Sequence, residues 1–140
     1  MRGNAVVQRK LDLIGRRISK VRAKAPLSIE ELEDDYFLRS GIERTLQVCI
    51  EAMIDVANRI TCKAGRPAST DSFGSLKQLE EMNILADAER YRDTVKFWNL
   101  IVHRYEEIDT GILLAIVNNS LRDFNSFIRE IERENRSKPE

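Results

Sequence analysis

The chain has 140 residues, enough for one domain to bury a core without help from metals or disulfides. Its composition, 42% hydrophobic and 33% charged, is that of a globular protein and excludes a disordered chain. Lys and Arg balance Asp and Glu at 23 each, so no net field directs it to nucleic acid or membrane. We expect one domain over 1–140, with frayed ends at 1–4 and 135–140.

The expected compartment follows from what the sequence lacks. The N-terminal residues have no signal-peptide core, and no later run reaches the length of a membrane span. Cys49 and Cys62 are about 20 Å apart on one predicted helix, which is too far for a disulfide. One His and no Cys-x-x-Cys pair argue against a zinc site. We therefore expect a cytoplasmic protein with reduced thiols, no membrane contact, and no metal or cofactor.

The first half of the chain predicts helices. An apolar stripe with spacings of three and four predicts a first helix over 5–24, which Pro26 ends. Ser28 and Glu31 have the spacing of a capping box and begin the next element. A long periodic run then predicts a helix over 36–63, the longest in the chain.

Charge is unevenly distributed along these elements. Up to Pro26 there are eight Lys or Arg against one acid, whereas 30–35 carries five acids. Two solvated helix faces that attract each other are the simpler interpretation, and an RNA-binding strip is the alternative. The helix over 36–63 also carries a polar row, which faces either water or a later helix whose His it could orient. This row is Arg44, Gln47, Glu51, Asp55 and Asn58.

The second half adds a loop and three more helices. Gly, Pro and small polar residues make 64–72 the clearest loop. A short helix over 73–82 and a turn at 83–85 lead into an uninterrupted helical run that ends near Asp109. The last helix is predicted over 111–134. The expected architecture is an all-α up-and-down bundle of four main helices plus a short extra helix.

The helix before Asp109 contains the only His and the only Trp of the chain. Its apolar stripe is predicted to be Val95, Trp98, Ile101, Val102, Tyr105 and Ile108. A second row at helical spacing, Arg92, Lys96, Asn99 and His103, should lie along one face. Beside a phosphate-binding cation, an imidazole could serve a metal-free attack of an RNA 2′-hydroxyl on the adjacent phosphate. A lone His on a helix is more often structural, so spacing alone leaves both interpretations open.

The segment from Phe97 to Tyr105 reads F-W-N-L-I-V-H-R-Y and is followed by Ile108-Asp109. It resembles the signature helix of HepT-like HEPN domains, Phe/Met-Arg-Asn-x-x-Val-His-x-Tyr and then Ile-Asp. The order of long helix, loop, short helix and turn also resembles the family over nearly the whole chain. The resemblance implies an all-α homodimer whose motif helices meet across a cleft. It also implies a metal-independent RNase toxin with a nucleotidyltransferase-fold antitoxin as partner.

The resemblance implies a role for His103 and for Asn99, and it gives Tyr105 one of two possible roles. His103 would be the catalytic His and Asn99 the motif Asn. Tyr105 would be the Tyr to which the antitoxin adds AMP in some pairs, or equally a Tyr packed at the dimer interface.

The motif Arg is replaced by Trp98, which puts the RNase activity in question. Lys96 could supply the cation, although its ammonium lacks the fork with which a guanidinium grips phosphate. Arg92 and Arg104 are further candidates for binding nucleotide or RNA. The chain is then a weakened RNase, or a non-catalytic dimer in which Trp98 stacks on a base or packs the interface. A purely structural helical dimer is the third possibility.

Overall fold

The computed structural model describes residues 2–103 and 108–137, and the regular structure in these ranges is entirely helical. The all-α prediction is therefore confirmed. The described residues form seven α-helices and one 3₁₀ turn, Ala88–Tyr91. The helices are α1 Arg2–Arg22, α2 Ile29–Asp34, α3 Tyr36–Lys63, α4 Gly74–Glu81, α5 Arg92–His103, α6 Thr110–Asn119 and α7 Leu121–Ser137.

The helix α3 is the centre of the bundle and has the predicted bounds. It packs against α1, α2, α4 and α5, while α7 covers another side of α1. Its inner face is fully buried at Leu46, Cys49, Met53 and Val56. Removing this apolar surface from water is the main contribution to the stability of the bundle.

Side-chain caps explain where α2 and α3 begin. The Ser28 hydroxyl accepts from the Glu31 N–H at 3.1 Å, and the Glu31 carboxylate accepts from the Ser28 N–H at 3.0 Å. The predicted capping box is thus present. Asp35 then caps α3 by accepting from the Leu38 N–H at 3.0 Å.

The single helix predicted over 111–134 is wrong, because the chain breaks at Ser120 between α6 and α7. The two halves have different partners: α6 packs on α2, and α7 packs on α1. Asn118 fixes the end of α6, since its amide donates to the Leu27 carbonyl and accepts from the Leu27 N–H, both at 2.9 Å. Contacts with distant residues therefore outweigh the continuous helical pattern.

The motif helix also begins later than its uninterrupted pattern predicts. Asp87 caps the 3₁₀ turn by accepting from the Glu89 N–H at 3.1 Å, and α5 starts only at Arg92. The turn is anchored by Tyr91, whose hydroxyl donates to Glu130 on α7 at 2.5 Å. This anchor fixes where α5 leaves the surface of α7.

Lys10, one of the basic residues of α1, pairs with α3 rather than with the acidic α2. Lys10 Nζ lies 2.9 Å from Asp55 Oδ2. The acidic α2 packs instead against α3 and α6. Within the described ranges, no helix combines the length and apolarity that crossing a membrane requires.

Candidate functional site

A cleft of about 500 Å³ runs along α5 and is closed on one side by the loop that precedes α4. The loop contributes Thr70, Asp71, Ser72 and Phe73, and α5 contributes Arg92, Val95, Lys96, Trp98, Asn99 and His103. The row predicted from helical spacing thus lies in one cavity, together with Trp98. The other two predicted site residues, Arg104 and Tyr105, lie outside the described residues.

Some residues of the apolar stripe predicted for α5 are buried, and others are not. Val95 is buried and Trp98 and Ile101 are half-buried, but Phe97, left out of the predicted stripe, is also buried at 1% exposure. Val102, predicted to be buried, is 42% exposed, as is its neighbour Leu100 at 45%. The last turn of α5 is therefore less covered than the turns before it, although the pattern continues unchanged.

Local hydrogen bonds hold the loop wall of the cleft in place. Asp71 accepts from the Gly74 N–H at 2.7 Å, and the Ser69 hydroxyl donates to the Asp71 carbonyl at 2.7 Å. A Cβ at Gly74 would lie 1.8 Å from Ser69 Oγ, so only glycine allows this close approach. The result is a tight turn that places Phe73 at the edge of the cleft.

Arg92 is already engaged at its end of the cleft. Its guanidinium donates two hydrogen bonds to Glu89, from Nε at 2.7 Å and from Nη2 at 2.6 Å. It also lies 4.3 Å from the ring centroid of Phe73. The hydrogen bonds from Arg92 lower the pKa of the Glu89 carboxyl below its ordinary value. A phosphate ligand of Arg92 would have to displace Glu89 or use the remaining N–H groups.

Trp98 connects the cleft to α3. Its indole N–H donates to Glu51 Oε2 at 3.4 Å, and Gln47 donates to the same oxygen at 3.2 Å. One part of the polar row on α3 therefore faces the motif helix, but its contact is with Trp98 rather than with the imidazole of His103.

Asp55 is the other carboxylate of the polar row that could have oriented His103, and it faces α1. It pairs with Lys10 and Arg59, each at 2.9 Å. Partial burial alone would raise the pKa of Asp55, but the hydrogen bonds from Arg59 and Lys10 lower it. Asp55 therefore belongs to the framework of the bundle.

Lys96, Asn99 and His103 are all exposed on the cleft face of α5. At 1.5 Å rise per residue, Lys96 is about 10 Å along the axis from His103, and Arg92 is about 16 Å away. Lys96 is thus the nearer of the two cations of α5 within one chain. In the described part of the chain, no three His, Cys, Asp or Glu residues are grouped so that they could hold a metal ion.

An arginine that sequence reasoning missed holds the chain just beyond the motif. The Arg39 guanidinium on α3 donates to Thr110 Oγ1 at 2.7 Å and to the Ile108 carbonyl. Its Nε also pairs with Glu43 at 3.2 Å, and both side chains are largely buried. The only sequence signal was the (i, i+4) spacing of an Arg and a Glu.

The Ile-Asp pair after the motif has structural roles in this chain. Ile108 is buried in the core. Asp109 caps α6 by accepting from the Ile112 N–H at 3.2 Å. Together with Arg39, these two residues fix the start of α6 in the bundle.

Solved structures with the same arrangement of helices define the class. A Shewanella oneidensis HEPN toxin, in tri-AMPylated form in complex with MNT antitoxin, is 26% identical with a TM-score of 0.81, over 91% of this chain and 97% of that chain. A cytosolic protein of unknown function from Bacillus subtilis, YutE, shares the fold at a TM-score of 0.82 and 10% identity, over 96% of this chain and 91% of that chain. The fold is that of a HEPN protein.

Sequence comparison identifies the family. The family described as Ribonuclease HepT-like matches residues 14–131, and the chain belongs to it. The mRNA nuclease HepT of Shewanella oneidensis is 27% identical over 94% of this chain and 99% of its own length. The tRNA nuclease HepT of Aphanizomenon flos-aquae is 23% identical over 90% of this chain and 87% of its own length. The resemblance seen in the motif thus extends over the chain.

Proposed function

We propose that this protein is the RNase toxin of a toxin–antitoxin pair and cleaves RNA in the α5 cleft without a metal ion. The observation that carries the proposal is the row of Lys96, Asn99 and His103, which lines one open cavity in a chain of the HepT-like family. Two relatives of similar length are named as nucleases for mRNA and for tRNA, which supports RNA as the substrate.

The side chains of the cleft include a base, a cation and an amide donor that transesterification at a phosphodiester can use. His103 accepts the proton of the 2′-hydroxyl, and the 2′-oxygen attacks the adjacent phosphorus. The bond from phosphorus to the 5′-oxygen breaks, which leaves a 2′,3′-cyclic phosphate. The leaving 5′-oxygen takes a proton from water and becomes a hydroxyl, and His103 returns its proton to solvent. Lys96 stabilises the charge that develops on the phosphate oxygens, and the Asn99 amide donates to one of them. Lys96 holds phosphate less firmly than an arginine would, so we expect slow turnover.

The active form in this proposal is a homodimer whose two α5 helices face each other. Leu100 and Val102 are exposed beside His103, and an apolar pair of this kind at a polar site is suited to an interface. A second copy would also bring Arg92 or Arg104 of the opposite protomer towards the phosphate. These arginines would then compensate for the missing motif Arg.

The proposed partner is a nucleotidyltransferase-fold antitoxin that silences the toxin by adding AMP to Tyr105. Support comes from the similar Shewanella oneidensis toxin, which is tri-AMPylated and bound to MNT antitoxin. Tyr105 lies outside the described residues. Mass spectrometry of the chain co-expressed with its partner tests this part: AMP adducts should appear on the wild type and be absent from Tyr105→Phe.

The decisive experiment is cleavage of a mixed RNA pool, with a chelator present, by the wild type and by His103→Ala. We expect cleavage by the wild type and a loss of at least about a hundredfold in the variant, since general bases contribute roughly 10²–10⁴ in rate. His103 is exposed, so the variant should keep the melting temperature of the wild type. An inactive wild type, or equal activity of the two, would contradict the proposal.

A second candidate function is favoured by the contact of Trp98 with Glu51. A fixed indole at the place of the motif Arg suits a dimer that binds nucleotide or RNA by stacking and has lost the chemistry. This function predicts no cleavage by the wild type, together with weaker RNA binding by His103→Ala and Lys96→Ala.

A further inference from the structure

A second cavity, of about 580 Å³, lies where the 3₁₀ turn meets α7. We call it the arginine groove, because four of its seven lining side chains are arginines. The lining residues are Arg90, Ser126, Arg129, Glu130, Glu132, Arg133 and Arg136. Arginine is the side chain best suited to grip phosphate, since its planar fork of donors matches two phosphate oxygens.

Three of these arginines are on one face of α7 and are open to solvent. Arg129, Arg133 and Arg136 follow one another at spacings of four and three residues, which puts neighbouring Cβ atoms about 5–6 Å apart. Arg129 donates to the neutral Ser126 hydroxyl at 3.2 Å. In the part of the chain that the structure describes, no carboxylate forms an ion pair with Arg133 or Arg136. The row thus presents several unneutralised guanidinium groups.

The two acids of the groove are engaged elsewhere. Both oxygens of Glu130 accept structural hydrogen bonds, from the Tyr91 hydroxyl at 2.5 Å and from the Ala86 N–H at 2.8 Å. Glu132 Oε2 accepts from the Gln8 amide on α1 at 2.8 Å. These carboxylates hold the bundle together and leave the arginines available to an anion.

The arginine groove and the α5 cleft are lined by residues that lie close together in the sequence. Arg90 lines the groove and pairs with Asp123 at 3.2 Å, while Arg92, two residues later, lines the cleft. The two cavities therefore lie on either side of the short 3₁₀ turn, and an RNA strand longer than the cleft has to cross only this turn to contact both. A row of arginines along a helix suits a repeating polyanion better than a single anion.

We propose that the arginine groove binds the phosphate backbone of the RNA strand beyond the segment held in the α5 cleft. The inference rests on the proposed function, because it takes the substrate to be RNA. An acidic surface of a partner protein is the other possible occupant, and the regular row of arginines, with the α5 cleft only two residues away along the chain, favours RNA.

The test uses His103→Ala as the parent, so that RNA is bound without being cut. Binding of a labelled single-stranded RNA of about 20 nucleotides, and of a trinucleotide, is measured by fluorescence anisotropy at several salt concentrations. In Arg129→Gln/Arg133→Gln/Arg136→Gln, we expect the affinity for the long strand to fall about tenfold or more. The slope of log K against log salt should fall by about 2, since each phosphate contact of a single strand contributes about 0.7. Trinucleotide binding should be unchanged.

The matched control is Arg9→Gln/Arg16→Gln/Lys20→Gln, which removes the same charge from an exposed face of α1. We expect less than a twofold change in this control, and unaltered melting curves in both triple variants. Equal losses in the two variants would show an effect of net charge, or RNA binding along the basic face of α1, and either would overturn the inference. An unchanged affinity of the groove variant, or a parent that binds no RNA, would overturn it as well. The proposed function is judged separately, by His103-dependent cleavage.

Discussion

At the residue scale, the replacement of the motif Arg by Trp98 is the feature that decides the strength of any catalysis. The indole is half-buried and donates to Glu51, so it occupies the wall of the cleft without supplying charge. Hydrogen-bonded cations at a developing phosphate charge are commonly worth orders of magnitude in rate. The proposed mechanism therefore has less electrostatic stabilisation at this site than it would have if the arginine were kept.

Trp98→Arg should raise the rate of RNA cleavage about tenfold or more, because it returns a guanidinium to the cleft within five residues of His103. Glu51 would hold part of that charge, so Trp98→Arg/Glu51→Gln should be faster still. Trp98→Gln is the control, since it removes the indole without adding a cation. Single-turnover cleavage measures the effect, and equal rates for the Arg and Gln variants would contradict it.

At the element scale, patterns in the sequence predicted those helices whose ends are determined by neighbouring residues in the chain. The helix α3 matches its predicted bounds because its periodic run begins at a capping residue, Asp35, and ends shortly before Gly65. The break at Ser120 could not be predicted, because it depends on Asn118 reaching Leu27, 91 residues away in sequence. The start of α5 likewise depends on a contact between Tyr91 and Glu130, which no sequence window contains.

The candidate site likewise has one part that the sequence predicted and another part that it could not predict. Helical spacing alone predicted that Arg92, Lys96, Asn99 and His103 would share a face. It could not predict the loop wall around Phe73, since that wall is placed by the packing of α4 on α3. The pairing of Arg92 with Glu89 was within reach of the sequence, because the two residues are three apart.

Tyr91→Phe should destabilise the junction of the 3₁₀ turn with α7. Burial, and then the hydrogen bond to Glu130, raise the pKa of Tyr91 well above its ordinary value, so the hydroxyl stays a donor. Hydrogen bonds to charged groups contribute about 1.5–3 kcal/mol, and we expect a loss of about 2 kcal/mol in the free energy of unfolding. Urea unfolding measures it.

Tyr36→Phe is the control for this prediction, because Tyr36 is 67% exposed and its substitution should leave the stability unchanged. If the two variants lose the same free energy, or if neither loses any, the Tyr91 hydroxyl does not anchor the turn.

At the scale of the whole molecule, the exposed end of α5 predicts how the protein associates. Val102→Asp places a charge in the proposed interface beside His103, so the proposed dimer should become a monomer and RNA cleavage should fall. Because Val102 is 42% exposed in the single chain, the monomer should stay folded. Sedimentation analysis and circular dichroism measure the two effects.

Ile29→Asp is the matched variant, with a side chain that is 45% exposed at the start of α2. It should remain dimeric and active. If Val102→Asp stays dimeric, or if Ile29→Asp dissociates as well, the interface does not lie at the end of α5.

The packing of α1 also determines when the helical bundle can fold during synthesis. α1 is translated well before α7, yet α7 is one of its two main partners, and the hydrogen bond from Gln8 to Glu132 joins residues 124 apart. Until α7 leaves the ribosome, the face of α1 that packs on α7 stays uncovered. A chain stopped at Asn119 should therefore be degraded readily by proteases. An interrupted translation event would then release no folded protein into the cell.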